Sequence, residues 1–310
     1  LAVDVPSGLD PGDGSVGEIA FRAEQTVTFD YLKVGHLINE GPDFCGIVEV
    51  APIGLGRAEP SLLLTEEEDA HLPVRPRTAH KWSAGSVLVI GGSEGMTGAA
   101  VMAAKAALAF GAGAVGLAVP NEAMAAAATL APELLHYRLD SLPERFETLV
   151  VGPGLGSDHD DLAGKLIESW DGPVVVDADA LRLVTERHRA KLVLTPHAGE
   201  FSRLSTQPPT PSGAAELARK LAAVVVLKGN PTVITDGGVP WIVDTGGPEL
   251  ATIGTGDVLA GMTGALLSSG LEPLPAARAA AYWHGVAGSA LARTGSVSAW
   301  NLLSEIGRWR

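Results

Sequence analysis

Short apolar runs alternate with longer alanine-rich stretches over most of this chain. Val87–Ile90, Ala114–Val119, Thr148–Val151, Pro173–Asp177, Leu192–Thr195 and Ala223–Leu227 each read as a buried strand. Each is followed by a glycine or polar turn and then by a stretch at helical period, so from Ser86 onward strand, turn and helix repeat. A long helix is predicted from about Gly98, and another from about Val258. Thr232–Thr235 and Trp241–Val243, flanking Asp236-Gly237-Gly238, predict an added hairpin. This alternation predicts an α/β fold with a mostly parallel central sheet covered on both faces. In such sheets ligands gather at the carboxyl ends of the strands.

The first 56 residues are patterned differently. Leu1–Val5, Gln25–Phe29 and Gly46–Val50 are short strand patterns separated by Gly- and Pro-rich turns, too little to bury a core alone. Residues 57–79, with Glu66-Glu67-Glu68 and Leu72-Pro73-Val74-Arg75-Pro76-Arg77, read as a linker into a second domain over 80–310. The chain opens inside a strand pattern, without methionine or signal-peptide features, and reads as a fragment of something longer.

Composition narrows the function classes. At 46% hydrophobic and 19% charged residues the 310-residue chain suits packed domains rather than disorder. The net charge of -14 disfavours nucleic acid and anionic lipid as partners. A phosphate-bearing small molecule stays admissible if helix N-termini, a lysine or a cation supply local positive potential. Cys45 is the only cysteine, so no internal disulfide forms and a cytoplasmic setting is expected. No apolar run approaches the ~20 residues of a membrane span.

Candidate chemistry stands at the predicted strand ends. Gly152-Pro153-Gly154-Leu155-Gly156 reads first as a tight turn, since serine replaces the last glycine of a dinucleotide fingerprint. Asp177-Ala178-Asp179 reads as a helix start capped by Asp179, with metal binding the lesser alternative. In Thr195-Pro196-His197-Ala198-Gly199-Glu200-Phe201, His197 is either a ligand contact or a structural imidazole. Lys228, directly after a valine run, needs an anionic partner or a water-facing cleft. In Ala251-Thr252-Ile253-Gly254-Thr255-Gly256-Asp257-Val258, the aspartate at a helix mouth is open to two readings, cap or chemistry.

Taken in order, Gly91-Gly92-Ser93, Met96-Thr97-Gly98-Ala99, GPGLG, DADAL, TPHAGEF, LKGNPT and TIGTGDVLAGM resemble the ADP-dependent NAD(P)H-hydrate dehydratases, from about His80 to the C-terminus and including Tyr282-Trp283-His284-Gly285. The resemblance implies a ribokinase-like three-layer fold. It also implies dehydration of the S epimer of hydrated NADH or NADPH, with ADP (or ATP) as co-substrate, magnesium accompanying it, and a homo-oligomer. Asp257 would be the base, with only an ordinary carboxylate pKa required. Lys228, Gly229, Asn230, Pro231, Thr232 and Gly256 would bind the nucleotide, while Ala99, Gly154, Gly156, His197 and Asp257 would contact the hydrated nicotinamide nucleotide. Two positions depart from the family, Ile253 and Trp82, where glycine is common.

Val3-Asp4-Val5-Pro6-Ser7-Gly8, Thr26–Phe29, Lys33-Val34-Gly35 and Gly46-Ile47-Val48 resemble the closing third of the Rossmann-like NAD(P)H-hydrate epimerase domain. That resemblance puts Asp4 on the substrate and Ser7 on a potassium ion; with the earlier part of that domain missing, no epimerase activity is expected. Two alternatives come from other classes: a kinase of a small thiazole or pyrimidine alcohol, which shares the G-x-G-D aspartate, and a non-catalytic nucleotide-binding protein.

Overall fold

The computed structural model describes residues 1–310, which divide into two compact units, Leu1–Leu62 and Leu63–Arg310. In the first, β1 (Ala2–Val3), β2 (Gln25–Phe29) and β3 (Ile47–Ala51) form a parallel sheet in that order, with α1 (Gly41–Cys45) preceding β3. The alternation of Gln25–Phe29 is what the fold uses: Thr26 and Thr28 point inward, and the Thr26 hydroxyl donates to the Cys45 carbonyl at 2.6 Å. The first strand is shorter than its apolar pattern because Asp4 adopts a left-handed φ of 65° and turns the chain.

The second unit is built on one ten-stranded sheet. Its elements are β4 (Leu63–Leu64), β5 (Ser86–Ile90), α2 (Thr97–Ala109), β6 (Ala114–Val119), α3 (Met124–Leu130), β7 (Leu135–Arg138), β8 (Thr148–Val151), α4 (Asp160–Ser169), β9 (Val174–Val176), β10 (Leu192–Leu194), α5 (Ala198–Leu204), α6 (Pro211–Leu221) and β11 (Val224–Leu227). Then come β12 (Thr232–Thr235), β13 (Trp241–Val243), α7 (Thr255–Ser268), α8 (Pro273–Ala292) and α9 (Ala299–Ile306). The strand order is β4-β13-β12-β11-β10-β9-β8-β5-β6-β7, parallel except where β12 runs against both neighbours. This is a ribokinase-like α/β architecture, and the hairpin read around Asp236-Gly237-Gly238 is β12–β13.

Two strands escape the hydrophobic pattern, both at sheet edges. β7 is Leu-His-Tyr-Arg, mostly half-exposed, and β4 is two residues long, inside the stretch that reads as a linker. Edge strands cover only one side of a neighbour, so they need no continuous apolar run.

The central strands are fully buried because helices cover both faces. Along one face α2 and α7 pack closely, and glycines set how closely. A side chain on Gly261 would begin 2.0 Å from the Ala103 carbonyl oxygen, and one on Gly264 would begin 2.6 Å from a Val150 methyl. Helix α7 is therefore wedged between α2 and the sheet, which holds the position of its N-terminus. Gly261→Ala should lower stability by about 1–3 kcal/mol through overpacking; urea unfolding measures it, and an unchanged midpoint would deny the wedge.

Trp82 has a packing role. Its ring meets Phe146 edge-on at 5.7 Å, and the Arg145 guanidinium lies 4.4 Å from its centroid.

Candidate active site

Groups at the carboxyl ends of β9, β10 and β11 surround Asp257 near the N-terminus of α7, and the β5 and β8 loops join them through Asp179. The β5 and β8 loops are stitched together by main-chain bonds. The Gly92 amide donates to Pro153 O at 3.0 Å and the Ser93 amide to Gly154 O at 2.7 Å. Gly154, at φ 61°, leaves no room for a side chain, since a Cβ would lie 2.5 Å from the Met96 carbonyl and 3.1 Å from the Ala99 methyl. Thus Ala99 and Gly154 are neighbours, and Gly156 is held beside them: its amide donates to Asp179 Oδ2 at 2.9 Å. This corrects the capping role expected for Asp179. The 3₁₀ turn Ala178–Leu183 starts with Asp177 at its cap, without a side-chain cap bond, and Asp179 spends its carboxylate on the glycine loop.

Asp177, at the end of β9, is only 1% exposed. It accepts from the Thr195 hydroxyl at 2.7 Å and pairs with Lys228 Nζ at 2.8 Å. Glu200 lies 3.7 Å from the same ammonium. Burial works against the lysine's charge, yet Asp177, Glu200 and Asp257 outweigh it and raise its pKa. Lys228 thus has its anionic partner, and it also faces the cleft. Neither Asp177, which in the sequence reads only as part of a helix start, nor Glu200 stands out there as a partner of Lys228. The spacing His197-x-x-Glu200 before an apolar residue was a readable capping signal.

His197 caps α5. Its Nδ1 accepts from the Gly199 and Glu200 amides at 3.0 and 3.2 Å, while the Glu200 carboxylate takes the His197 amide at 2.8 Å. The structural alternative for this histidine is therefore realised. The ring also lines the cleft next to Lys228, to which its backbone is bridged.

Helix α7 begins at Gly254, whose φ of 91° favours glycine. Asp257 is the third residue of the helix and accepts no capping bond, which removes the cap reading. The amides of Gly256 and Asp257 open the helix without a main-chain acceptor. A Cβ on Gly256 would lie 3.4 Å from Lys228 Nζ, so the ammonium stands beside this first turn. Ile253 is 98% exposed and lies at the rim of the cleft.

Asp257 does not keep an ordinary pKa. Burial pushes it up, the nearby Asp177, Asp179 and Glu200 charges add to this, and only Lys228 opposes, leaving it at about 7. An acid whose pKa is higher folded than unfolded costs stability as pH rises between the two values, here from about 4 to about 7. Between pH 5 and pH 8 the protein should lose about 2 kcal/mol that an Asp257→Asn variant keeps. Parallel urea curves for the two proteins would expose the error if they showed equal loss.

The cleft beyond these groups has a volume of about 590 Å³. His197, Lys228, Gly229, Asn230, Thr232 and Gly256 line it on one side, and the segment Thr245–Ala251 forms its other wall. Pro231, Ala99, Gly154, Gly156 and Asp257 are not among its lining residues. The Ala99–Gly154–Gly156 group instead reaches the site through Asp179 and the adjacent Asp177. His284 of α8, 7% exposed, also lines the cleft, and its Nε2 lies 2.9 Å from the Thr255 carbonyl. Burial lowers its pKa to about 4, so the ring is neutral at physiological pH.

No three His, Cys, Asp or Glu side chains are grouped to hold a metal. Magnesium keeps several waters and binds through one or two carboxylates and substrate phosphates, so it requires no such group.

The sequence profile of the NAD(P)H-hydrate dehydratase family matches residues 87–307. The chain belongs to that family. Over the dehydratase span the motif set of the glycine loops, TPHAGEF, LKGNPT and GTGD coincides with the matched region. A YjeF-related N-terminal profile matches residues 1–35. A bifunctional NAD(P)H-hydrate repair enzyme from Moorella thermoacetica is 40% identical over 94% of this chain, which spans 62% of that relative's length. An ADP/ATP-dependent NAD(P)H-hydrate dehydratase from Bacillus subtilis, crystallised with ATP and Mg2+, superposes with a TM-score of 0.73 at 31% identity, covering 79% of this chain and 96% of that one. A hydroxyethylthiazole kinase from Pyrococcus horikoshii, at 21% identity and a TM-score of 0.54 over 74% of this chain and 89% of its own, shares the fold alone.

The first unit holds Asp4 and Ser7, expected on the substrate and on a potassium ion respectively. The Asp4 carboxylate is taken by Lys33 at 2.8 Å and by the Thr28 hydroxyl at 2.9 Å. The Lys33 hydrogen bond, above all, holds its pKa below the usual carboxylate range. Ser7 is exposed. No helix of the protein is long and apolar enough to cross a membrane.

Proposed function

We propose that this chain dehydrates the S epimer of hydrated NADH or NADPH at the expense of ADP, releasing AMP and phosphate. The observation that carries the reading is the arrangement at the mouth of α7. A carboxylate with a pKa of about 7 lies next to two unbonded helix amides and a lysine ammonium, beside a nucleotide-sized cleft. Asp257 takes the proton of the hydroxyl on C6 of the reduced ring. The oxygen attacks the terminal phosphorus of ADP and AMP departs. Loss of the new phosphate from C6, with the proton from C5, restores the ring double bond. Gly256, the α7 amides and Lys228 offset the negative charge that develops on the transferring group. Lys228 to Thr232 hold the nucleotide, and Ala99, Gly154, Gly156 and His197 hold the hydrated dinucleotide. A magnesium ion carried on the nucleotide would neutralise phosphate charge.

The direct test supplies hydrated NADH, ADP and magnesium. Absorbance of the reduced nicotinamide should return in step with AMP and phosphate, and recovery without those products would sink the reading. The proposal includes a homo-oligomer in the cytoplasm, the former checked by sedimentation. It does not extend to epimerisation.

A further inference from the structure

The imidazole of His284 has a polar atom to spare. Its placement is built: Gly285 lies so close to β13's exit that a Cβ would meet the Thr245 carbonyl at 2.2 Å. Gly246, at φ 80°, packs on Gly285 as well, and the Thr245 hydroxyl donates to Tyr282 O at 2.9 Å. These contacts press α8 against the wall of the cleft and hold His284 in it. The Thr255 carbonyl can only accept, so the bond from Nε2 fixes the tautomer: Nε2 carries the proton and Nδ1 is an acceptor. Nδ1 has no protein partner, and it is not among the enclosed polar atoms that lack one, so it opens onto the cleft the residue lines.

An acceptor at that place calls for a donor on the ligand. Thr255 directly precedes Gly256, where the free amides and Lys228 await phosphate. A group one residue from the phosphate cradle meets the part of a nucleotide nearest its phosphates, which is the sugar. We infer that His284 Nδ1 accepts a hydrogen bond from a ribose hydroxyl of the bound nucleotide, making His284 a determinant of ribonucleotide over deoxyribonucleotide. The inference rests on the nucleotide cleft of the proposed function.

Calorimetry of magnesium-nucleotide binding to the whole chain tests it without turnover. ADP is compared with 2′-deoxy-ADP, 3′-deoxy-ADP and the 6-deamino analogue, purine riboside diphosphate. The wild type should bind one deoxynucleotide about tenfold more weakly than ADP. His284→Phe should lose that preference and bind ADP as weakly as the deoxynucleotide. His284→Gln, whose amide can donate to Thr255 O and whose oxygen can accept, should keep it. Equal binding of all four ligands overturns the inference, and so does a loss confined to the deaminated base. Inorganic pyrophosphate serves as the control: if His284→Phe weakens it as much as ADP, the ring acts only by bracing α7 and the ribose contact is wrong. Failure of the dehydratase reading looks different, with no ADP binding at all or binding without turnover.

Discussion

Asp257→Asn leaves nucleotide binding within a few-fold of the wild type and lowers kcat by about 10²- to 10⁴-fold. Asparagine keeps the size and the polar surface of the side chain, so the α7 amides, Gly256 and Lys228 still face the phosphates. What it cannot do is take a proton. Wild-type kcat/KM should rise with pH and level off above an apparent pKa of about 7, because below that value the carboxyl is protonated and useless as a base. The residual activity of the variant should lack this limb. Retained turnover, or the same limb in the variant, removes Asp257 from the role of base. The environment that makes the residue costly to ionise is also what gives it a basicity suited to neutral pH.

Lys228→Met should both unfold more easily and bind nucleotide poorly. Its ammonium is the charged partner of the buried Asp177 at 2.8 Å, and breaking a buried pair by removing one member costs about 3–5 kcal/mol. Loss of the cation beside the first turn of α7 should weaken ADP by about 10- to 100-fold, on the scale of a truncated charge-assisted contact. Because Lys228 is the group that opposes the rise of the Asp257 pKa, the pH–rate limb should also move to higher pH. The double variant Lys228→Met/Asp177→Leu separates the two effects. Stability should return in part, since the most deeply buried carboxylate no longer stands without its cation, and nucleotide affinity should not. If both return together, Lys228 has only a structural role.

The amino-acid pattern marks some parts of this site and leaves others silent, for physical reasons. Central strands such as Val87–Ile90 and Val224–Leu227 announce themselves because burial on both faces demands unbroken apolar runs. Edge strands β4 and β7 carry no such demand and stayed hidden. Lys228 was readable as a residue in need of a partner, but Asp177, distant in sequence, could not be matched to it from spacing. His197 and Asp257 show the same limit from opposite sides. The two residues each stand at a helix start, and the histidine turned out to be the cap while the aspartate did not.

What the chain determines by itself is its alternation of strand and helix, its glycine turns and the order of its motifs. These depend on local steric permission and hydrophobic period, which every residue carries with it. The protonation behaviour of Asp257 and the tautomer of His284 were decided only by tertiary structure. A pKa depends on the charges and solvent within a few ångströms, and the carboxylates that press on Asp257 come from β9, its following turn and α5. The glycines of α7 and α8 let backbones approach closely enough to bring those groups together, and that closeness exists only once the layers have packed.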